Sequence, residues 1–229
     1  MTKQEILKRN AAEKAVEFIK SGMVLGFGTG STFNYVLYLL SEKLKSGELK
    51  NILGVPSSEK TEKLAKELNI RTASLSDYTT LDLTIDGADE VDKKLNLIKG
   101  GGAAHLREKI IAQASKQYVI IVDESKISKV LGEKWAVPIE VIKMAVDVER
   151  EFLESMGAKV KLRLNQNNIP FITDEGNYIL DANFGIISYP KKLARKLEKR
   201  AGIVEHGLFI NMADYVVVAK SSNIEILSK

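Results

Sequence analysis

Short apolar runs alternate with amphipathic stretches through the first half of the chain. Strands are predicted at residues 23–27, 51–55, 70–75, 81–85 and 118–122, of which the last is a continuous apolar run of the kind buried in a parallel sheet. The stretches between them repeat apolar residues with helical spacing, as in Phe33, Val36, Leu37, Leu40 and Leu44. Helices are predicted at 3–20, from residue 31, at 58–68 and after residue 103. This alternation predicts an α/β fold with a parallel sheet.

The pattern changes near residue 129, where strands begin to follow one another without a helix between each pair. Strands are predicted at 135–142 and 159–165, a hairpin joins 171–173 to 177–180, and helices are predicted at 148–156 and 190–200. Residues 212–219 then form another buried strand. We therefore predict a Rossmann-like parallel-sheet domain of residues 1–128 and 205–229. A small α+β (ferredoxin-like) domain of residues 129–204 is inserted into it.

Composition narrows the classes of partner. The 229 residues include 34 basic and 30 acidic side chains, which give a net charge of +4. This mild positive charge suits a small anionic ligand, but the excess of basic residues is too small to indicate a nucleic-acid-binding surface. The absence of cysteine excludes disulfides and thiolate chemistry. No signal peptide or 18-residue apolar stretch is present, so we expect a cytoplasmic protein with no membrane association. His105 and His206 have no ligand partner at helical spacing and are predicted to be structural, with no metal site.

The most informative stretch is residues 85–110, I-D-G-A-D-E-V-D-K-K-L-N-L-I-K-G-G-G-A-A-H-L-R-E-K-I. Asp86 and Asp89 lie three apart in a glycine-containing turn after a strand, where side chains project into a crevice. A second apolar run ends at Lys99 and three glycines, Gly100, Gly101 and Gly102. These glycines allow positive φ angles and a close approach to a ligand, and their N–H groups favour an anion.

A helix follows at once, with Glu108 predicted in its second turn. Its apolar face is predicted from the spacing of Ala103, Leu106, Ile110 and Ala114. Glu108 would then lie at the edge of the buried stripe, where partial desolvation raises a carboxyl pKa and suits the group to proton abstraction. A solvated helix face is the alternative for this residue.

A second glycine-rich turn, G-F-G-T-G-S-T, occupies residues 26–32 between a strand and a helix. This arrangement presents several N–H groups to a phosphate, and Thr29, Ser31 and Thr32 add hydroxyls. The glycine spacing is not that of a dinucleotide fingerprint, and no G-K-[ST] nucleotide loop is present. A turn required only for packing is the alternative.

D-G-A-D-E followed by K-G-G-G-A-A-x-x-R-E-K-I resembles the active-site signature of type A ribose-5-phosphate isomerases. The resemblance implies that T-G-S-T, here Thr29, Gly30, Ser31 and Thr32, binds substrate. It implies the same for Lys126, which follows the strand at 118–122, and, on a weaker single-residue match, for Lys8. Gly87, Ala88 and Gly100 to Gly102 complete the implied substrate contacts. The family's habit also implies a homodimer or homotetramer, with the inserted domain acting as a lid or in oligomerisation.

The function implied is the interconversion of ribose 5-phosphate and ribulose 5-phosphate through a cis-enediolate, in the non-oxidative branch of the pentose phosphate pathway. Glu108 would be the base, and Lys99 with the glycine amides would stabilise the enediolate. Asp86 and Asp89 would assist ring opening and proton movement between the oxygens. The reaction has no redox step, so no cofactor is expected.

Two other classes stay open from the sequence. Sugar-phosphate-sensing domains of transcriptional regulators resemble this fold and bind without catalysis, but they normally carry a DNA-binding segment, and about 20 residues precede the first predicted strand. Acyl-coenzyme A transferases share a related architecture and use a glutamate as a covalent nucleophile, which a thioester trapped at Glu108 would reveal.

Overall fold

The computed structural model describes residues 1–229 and groups them into two units. The first unit comprises Met1–Ala88, Arg107–Lys126 and Met212–Lys229, and the second comprises Asp89–Leu106 and Ile127–Asn211. The first unit is interrupted near residue 127, and residues 89–106 group with the second unit.

The first unit is a six-stranded sheet with helices on both faces. Its strands are β1 (Val24–Phe27), β2 (Leu53–Pro56), β3 (Leu83–Gly87), β6 (Tyr118–Asp123), β12 (Tyr215–Ala219) and β13 (Ile224–Ser228). Its helices are α1 (Lys3–Val16), α2 (Ser31–Lys45), α3 (Glu59–Glu67) and, from Arg107 onward, α4 (His105–Gln113). The order is β13-β12-β6-β3-β1-β2, and every pairing is parallel except β12 with β13. The predicted Rossmann-like parallel sheet is confirmed.

Strand alternation divides the core of this unit between the two sheet faces. Leu25 and Phe27 pack in a cluster with α1 and α2. Val24 packs in a second cluster with Ile111 of α4, because successive strand residues point to opposite faces. The chain turns back between β1 and β3, so the carboxyl ends of these two strands form a topological switch point, where ligands bind in open α/β sheets.

The second unit contains a four-stranded antiparallel sheet. Its strands are β7 (Val137–Val141), β8 (Lys159–Leu162), β9 (Tyr178–Asn183) and β10 (Ile203–His206), and its helices are α5 (Val146–Ser155) and α6 (Pro190–Leu197). The strand order is β10-β7-β9-β8 with α5 after β7 and α6 after β9, which is the ferredoxin-like arrangement. A small three-stranded sheet joins β4 (Glu90–Val91), β5 (Leu97–Ile98) and β11 (Leu208–Phe209).

Two predicted strands are absent from the structure, and several observed strands were not predicted. Residues 70–75 form no strand, because only Thr72 bridges to β2 through Gly54 before the chain leaves the sheet. Residues 171–173 are not a hairpin arm, since Thr173 closes a turn with Asn177 and directs its side chain to Glu140. Strands β4, β10, β11 and β13 were not predicted. None of the helices is long and apolar enough to cross a bilayer.

Candidate functional site

Asp86 is fully buried at the carboxyl end of β3, at the switch point of the first unit. Its Oδ1 accepts hydrogen bonds from the backbone N–H of Thr29 (3.1 Å) and of Gly87 (2.7 Å). The neighbouring loop must approach closely for this, because a Cβ on Gly28 would lie 2.2 Å from Asp86 Oδ1. Glycine at position 28 is therefore a requirement of the carboxylate's position.

The Thr29 side chain contacts protein hydroxyls. Its Oγ1 lies 2.8 Å from the Oγ atoms of both Ser57 and Ser58 and 3.3 Å from Oγ1 of Thr61. The three partners are buried and follow β2. This cluster fixes the loop, and sequence reasoning missed it because the S-S-E-K-T segment was interpreted only as a helix start.

The start of α2 gathers positive charge and donors. Gly30 is the N-cap residue, with φ of 108° and no side-chain cap hydrogen bond, and the first turn carries no acidic residue. Lys8 of α1 donates from Nζ to Ser31 Oγ at 2.8 Å. The structure thus brings the predicted T-G-S-T loop and Lys8 together at one helix N-terminus, an arrangement that favours a phosphate.

Glu108 lies in the first turn of α4, because the helix begins at His105. The predicted second turn was therefore wrong, and so was the predicted apolar face, since Ile110 is 44% exposed. The buried residues of the helix are instead His105, Glu108, Lys109, Ile111 and Ala112, and Glu108 is only 4% exposed. Glu108 is therefore a buried carboxylate, with the buried apolar side chain of Ile111 one turn further along the helix.

Tyr118, at the start of β6, lies beside two of the predicted catalytic carboxylates. Its hydroxyl donates to Asp86 Oδ2 at 3.4 Å. Burial raises the pKa of Tyr118 well above its ordinary value, and the charges of Asp86 and Glu108 raise it further. Tyr118 therefore remains a neutral hydrogen-bond donor near both carboxylates. The sequence did not predict this role, because Tyr118 was interpreted only as part of the apolar strand at 118–122.

Lys126 lies where the sequence predicted it, at the carboxyl end of β6. The strand ends at Asp123 and a single 3₁₀ turn, Glu124–Lys126, follows. Asp123 accepts from the Ser125 backbone N–H at 2.9 Å, which fixes this turn. Lys126 is half-buried.

Lys99, in the second unit, is only 2% exposed although it carries a cation. Its backbone N–H donates to the Gly207 carbonyl at 2.9 Å, and its Nζ lies 5.6 Å from the centre of the Phe209 ring. An ammonium over an aromatic face is stabilised by the ring quadrupole. The lysine is therefore held on the small sheet and does not extend into solvent.

The glycine turn that follows is folded around a carboxylate of the same unit. Gly100 has φ of 103°, and Gly101 donates its N–H to Asp89 Oδ2 at 2.7 Å. A Cβ on Gly101 would lie 2.6 Å from Asp89 Oδ1, so the close approach requires glycine there. Gly101 and Gly102 are exposed.

Arg163, which directly follows β8 in the ferredoxin-like sheet, contacts this glycine turn. No local sequence motif predicts this contact. Arg163 Nη1 donates to the carbonyls of Gly100 (2.8 Å) and Gly101 (3.3 Å). The same guanidinium forms an ion pair with Asp181 of β9. By fixing the two carbonyl oxygens, Arg163 also determines the direction of the adjoining peptide N–H groups.

Glu90, the last residue of D-G-A-D-E, has a structural role. It is fully buried, and its carboxylate accepts four backbone N–H groups at 3.1–3.3 Å, from Gly132, Glu133, Lys134 and Trp135. The backbone of residues 132–135 is therefore held in place by the Glu90 carboxylate.

His105 is fully buried, with Nε2 3.4 Å from the Glu205 carbonyl, and its ring lies against Gly100. No group of three or more His, Cys, Asp and Glu residues in the structure could hold a metal ion.

Comparisons with known proteins agree on one family. The family model for ribose 5-phosphate isomerase A (phosphoriboisomerase A) matches residues 53–223. A ribose-5-phosphate isomerase A from Desulfatibacillum aliphaticivorans is 51% identical, over 98% of this chain and 97% of the relative. A solved D-ribose-5-phosphate isomerase in complex with phospho-erythronic acid has a TM-score of 0.97 and 43% identity over 100% of both chains. The ribose 5-phosphate isomerase A structure from Methanocaldococcus jannaschii has a TM-score of 0.93 and 38% identity, over 98% of this chain and 99% of that one. Because these matches extend along nearly the whole chain, the chain belongs to the ribose 5-phosphate isomerase A family.

Proposed function

We propose that this protein interconverts D-ribose 5-phosphate and D-ribulose 5-phosphate through a cis-enediolate. The observation that carries the proposal is family membership along nearly the whole chain, in a sequence that contains both D-G-A-D-E and K-G-G-G-A-A-x-x-R-E-K-I. The reaction moves one proton between C1 and C2 and one between their oxygens, so it needs a base, donors for the developing oxyanion and an anchor for the phosphate.

Glu108 is the proposed base. Its burial at the start of α4 supports this role, because a carboxylate shielded from water is a stronger base toward carbon acids than a solvated one. It would remove the proton from C2 of the open-chain aldose and return it to C1 of the enediolate. Tyr118, which stays neutral, would keep a donor beside Glu108 and Asp86.

Lys99 and the N–H groups of Gly100 and Gly102 are the proposed stabilisers of the enediolate, whereas the Gly101 N–H is donated to Asp89. A buried ammonium and a glycine turn with fixed carbonyls provide preorganised positive charge. The ligand of one relative has related chemistry. Phospho-erythronic acid combines a phosphate with a carboxylate, whose two coplanar oxygens resemble those of an enediolate.

Asp86 and Asp89 are proposed to assist ring opening and the movement of the proton between the two oxygens. Each has an oxygen fixed by a backbone N–H, Asp86 by Thr29 and Gly87 and Asp89 by Gly101. Carboxylates held in this way can exchange a proton with a sugar hydroxyl without reorienting.

The substrate phosphate is assigned to the start of α2. Ser31, Thr32 and Gly30 contribute the uncapped helix end, Lys8 adds a cation 2.8 Å from Ser31 Oγ, and Thr29 shapes the loop through its backbone. Gly87 and Ala88 are proposed to contact the sugar, and Lys126 to bind it from the carboxyl end of β6. No organic cofactor and no metal ion enter this scheme.

The decisive experiment follows proton transfer directly. Purified protein is incubated with D-ribose 5-phosphate in deuterium oxide, and NMR measures product and isotope content. We expect D-ribulose 5-phosphate with deuterium at C1 without any added cofactor, and chelator dialysis should leave the rate unchanged. Binding of the sugar phosphate without turnover would favour a sensing domain, and a thioester at Glu108 would favour acyl transfer.

Further assignments accompany this proposal. We place the protein in the cytoplasm, where the non-oxidative pentose phosphate reactions take place, as a homodimer or homotetramer without nucleic-acid or membrane partners. We assign catalysis to the Rossmann-like domain of residues 1–128 and 205–229, and a lid or oligomerisation role to the inserted α+β domain of residues 129–204. Light scattering of the purified protein would determine the oligomeric state.

A further inference from the structure

A large basic cavity lies wholly within the second unit and outside the proposed isomerase site. Its volume is about 840 Å³, within the range of small-molecule sites, and its lining comes from residues 92–210. None of the residues given a catalytic or substrate-binding role lines it. Eight Lys and Arg side chains contribute to its wall, against one carboxylate, Asp92.

The single carboxylate offsets only one of the eight positive charges, and its oxygens are hydrogen-bonded within its own turn. Asp92 Oδ1 accepts from the backbone N–H groups of Lys94 (2.8 Å) and Asn96 (2.9 Å), and its Oδ2 accepts from Asn96 Nδ2 at 2.8 Å. The Asp92 carboxylate therefore stabilises the turn of residues 92–96. None of the eight cations forms an ion pair with any carboxylate of the chain.

Helix α6 contributes four of these eight cations in an arrangement that weakens the helix itself. Its first turn contains Lys191 and Lys192, has no acidic residue, and lacks a side-chain cap. Cations are unfavourable at a helix N-terminus. Lys192 and Lys196 are also four apart, a like-charge spacing that destabilises a helix. A segment that departs from local stability rules in this way is expected to have a compensating function.

The cavity also has an apolar and aromatic side. Ile187 and Ile210 contribute to its lining, and Tyr189, at the start of α6, is 76% exposed. An exposed aromatic ring beside a cluster of cations suits a ligand that has both a flat apolar part and several negative charges.

We propose that this cavity binds a small organic polyphosphate, with two or more phosphates on the α6 lysines and a flat ring stacked on Tyr189. Nucleoside polyphosphates have this chemistry. A sugar monophosphate carries too little charge to engage eight cations. A nucleic acid would need a basic stripe along the surface, whereas these eight residues line one cavity.

The test is calorimetric titration of the full chain with metal-free ATP, tripolyphosphate and adenosine. Two double charge reversals are compared: Lys192→Glu with Lys196→Glu in the cavity, and Lys60→Glu with Lys63→Glu on α3, where both lysines are exposed. The change in net charge is identical. Because charged hydrogen bonds are lost, we expect the cavity variant to bind ATP about tenfold more weakly or worse. The α3 variant should change affinity by less than about twofold, the effect of screened surface charge.

Tyr189→Ala separates the ring from the phosphates. It should weaken ATP binding several-fold and leave tripolyphosphate binding unchanged. Circular dichroism checks folding, and Lys192→Gln with Lys196→Gln replaces the charge reversal if that variant does not fold.

Several outcomes would overturn the proposal. The first is a failure to bind ATP at about 1 mM, and the second is an equal loss of ATP affinity in the two double variants. The third is loss of ATP binding in Lys126→Ala, which would place ATP in the substrate site. Tighter binding of a 20-base-pair DNA duplex, lost in the cavity variant, would make the surface a nucleic-acid site instead. Isomerase activity is not a readout of this test, so its result is independent of the proposed function.

Discussion

Replacement of Glu90 by Gln should destabilise the protein more than any other isosteric change in the signature. The carboxylate is fully buried and accepts four backbone N–H groups, two on each oxygen. Gln keeps one oxygen and places an NH₂ group against the other two donors. Two hydrogen bonds to a charged group, worth roughly 1.5–3 kcal/mol each, are therefore lost. Relief of the buried charge offsets part of this loss, so we expect a net destabilisation of about 3 kcal/mol, taking the low end of that range.

The measurement is urea and thermal unfolding followed by tryptophan fluorescence and circular dichroism. Trp135 is the only tryptophan and donates its backbone N–H to Glu90, so its emission reports on the affected segment. For a chain of this length, 3 kcal/mol corresponds to a fall in Tm of about 6–12 °C.

Glu133→Gln is the matched control in the same segment. Glu133 is exposed, and its carboxylate accepts from the N–H groups of Lys129 (3.3 Å) and Val130 (3.2 Å). We expect it to cost about 1 kcal/mol or less, as for a solvated hydrogen bond. Equal Tm shifts in the two variants would refute the structural role of Glu90. A normal Tm with a collapsed kcat would make Glu90 a catalytic residue instead.

Four further outcomes test the site and its surroundings. Glu108→Gln should lower kcat by about 10²–10⁴-fold with KM nearly unchanged, because general-base catalysis is lost; retention of more than about a tenth of wild-type kcat would exclude Glu108 as the base. Lys126→Ala should raise KM roughly tenfold or more with a smaller effect on kcat, since it removes a charged contact made in both ground and transition states; the opposite split would make Lys126 catalytic. Arg163→Met should lower kcat by about tenfold or more, whereas Arg163→Lys should recover part of it, because one charged hydrogen bond to the glycine carbonyls is restored; equal activity in both variants and wild type would contradict this positioning role. Burial raises the pKa of Glu140 above its usual range, so the folded state holds its proton more tightly than the unfolded state; stability due to this group should fall as pH rises from the unfolded pKa through the folded one, and Glu140→Gln should flatten that part of the pH–stability curve measured by urea unfolding.

Local sequence patterns were sufficient for the fold class and for locating the signature. The family resemblance and the parallel sheet are confirmed. Both could be predicted because glycine-rich turns after apolar strands are determined by residues close in sequence. The burial of α4 was predicted wrongly for a physical reason. The helix turns His105, Glu108 and Lys109 inward and leaves Ile110 exposed, and only tertiary packing can override an apolar spacing in that way.

Long-range contacts account for what the sequence did not reveal. Arg163 reaches the glycine turn from more than sixty residues away, and Tyr118 reaches Asp86 across 32 residues. In the sequence, each appears as one side chain in a strand pattern. The roles assigned to individual site residues, and the division of the chain into catalytic and lid domains, stay predictions for the experiments above.

The strand order has a consequence for synthesis on the ribosome. Strand β6 is apolar almost throughout and pairs on one edge with β12, which begins at Tyr215, after the whole of residues 124–214 has been made. During that interval the nascent chain exposes an unpaired apolar edge, the kind of surface that recruits other chains and chaperones. Slowing translation between residues 124 and 214 should therefore increase aggregation of the nascent protein, whereas slowing it after residue 219 should not.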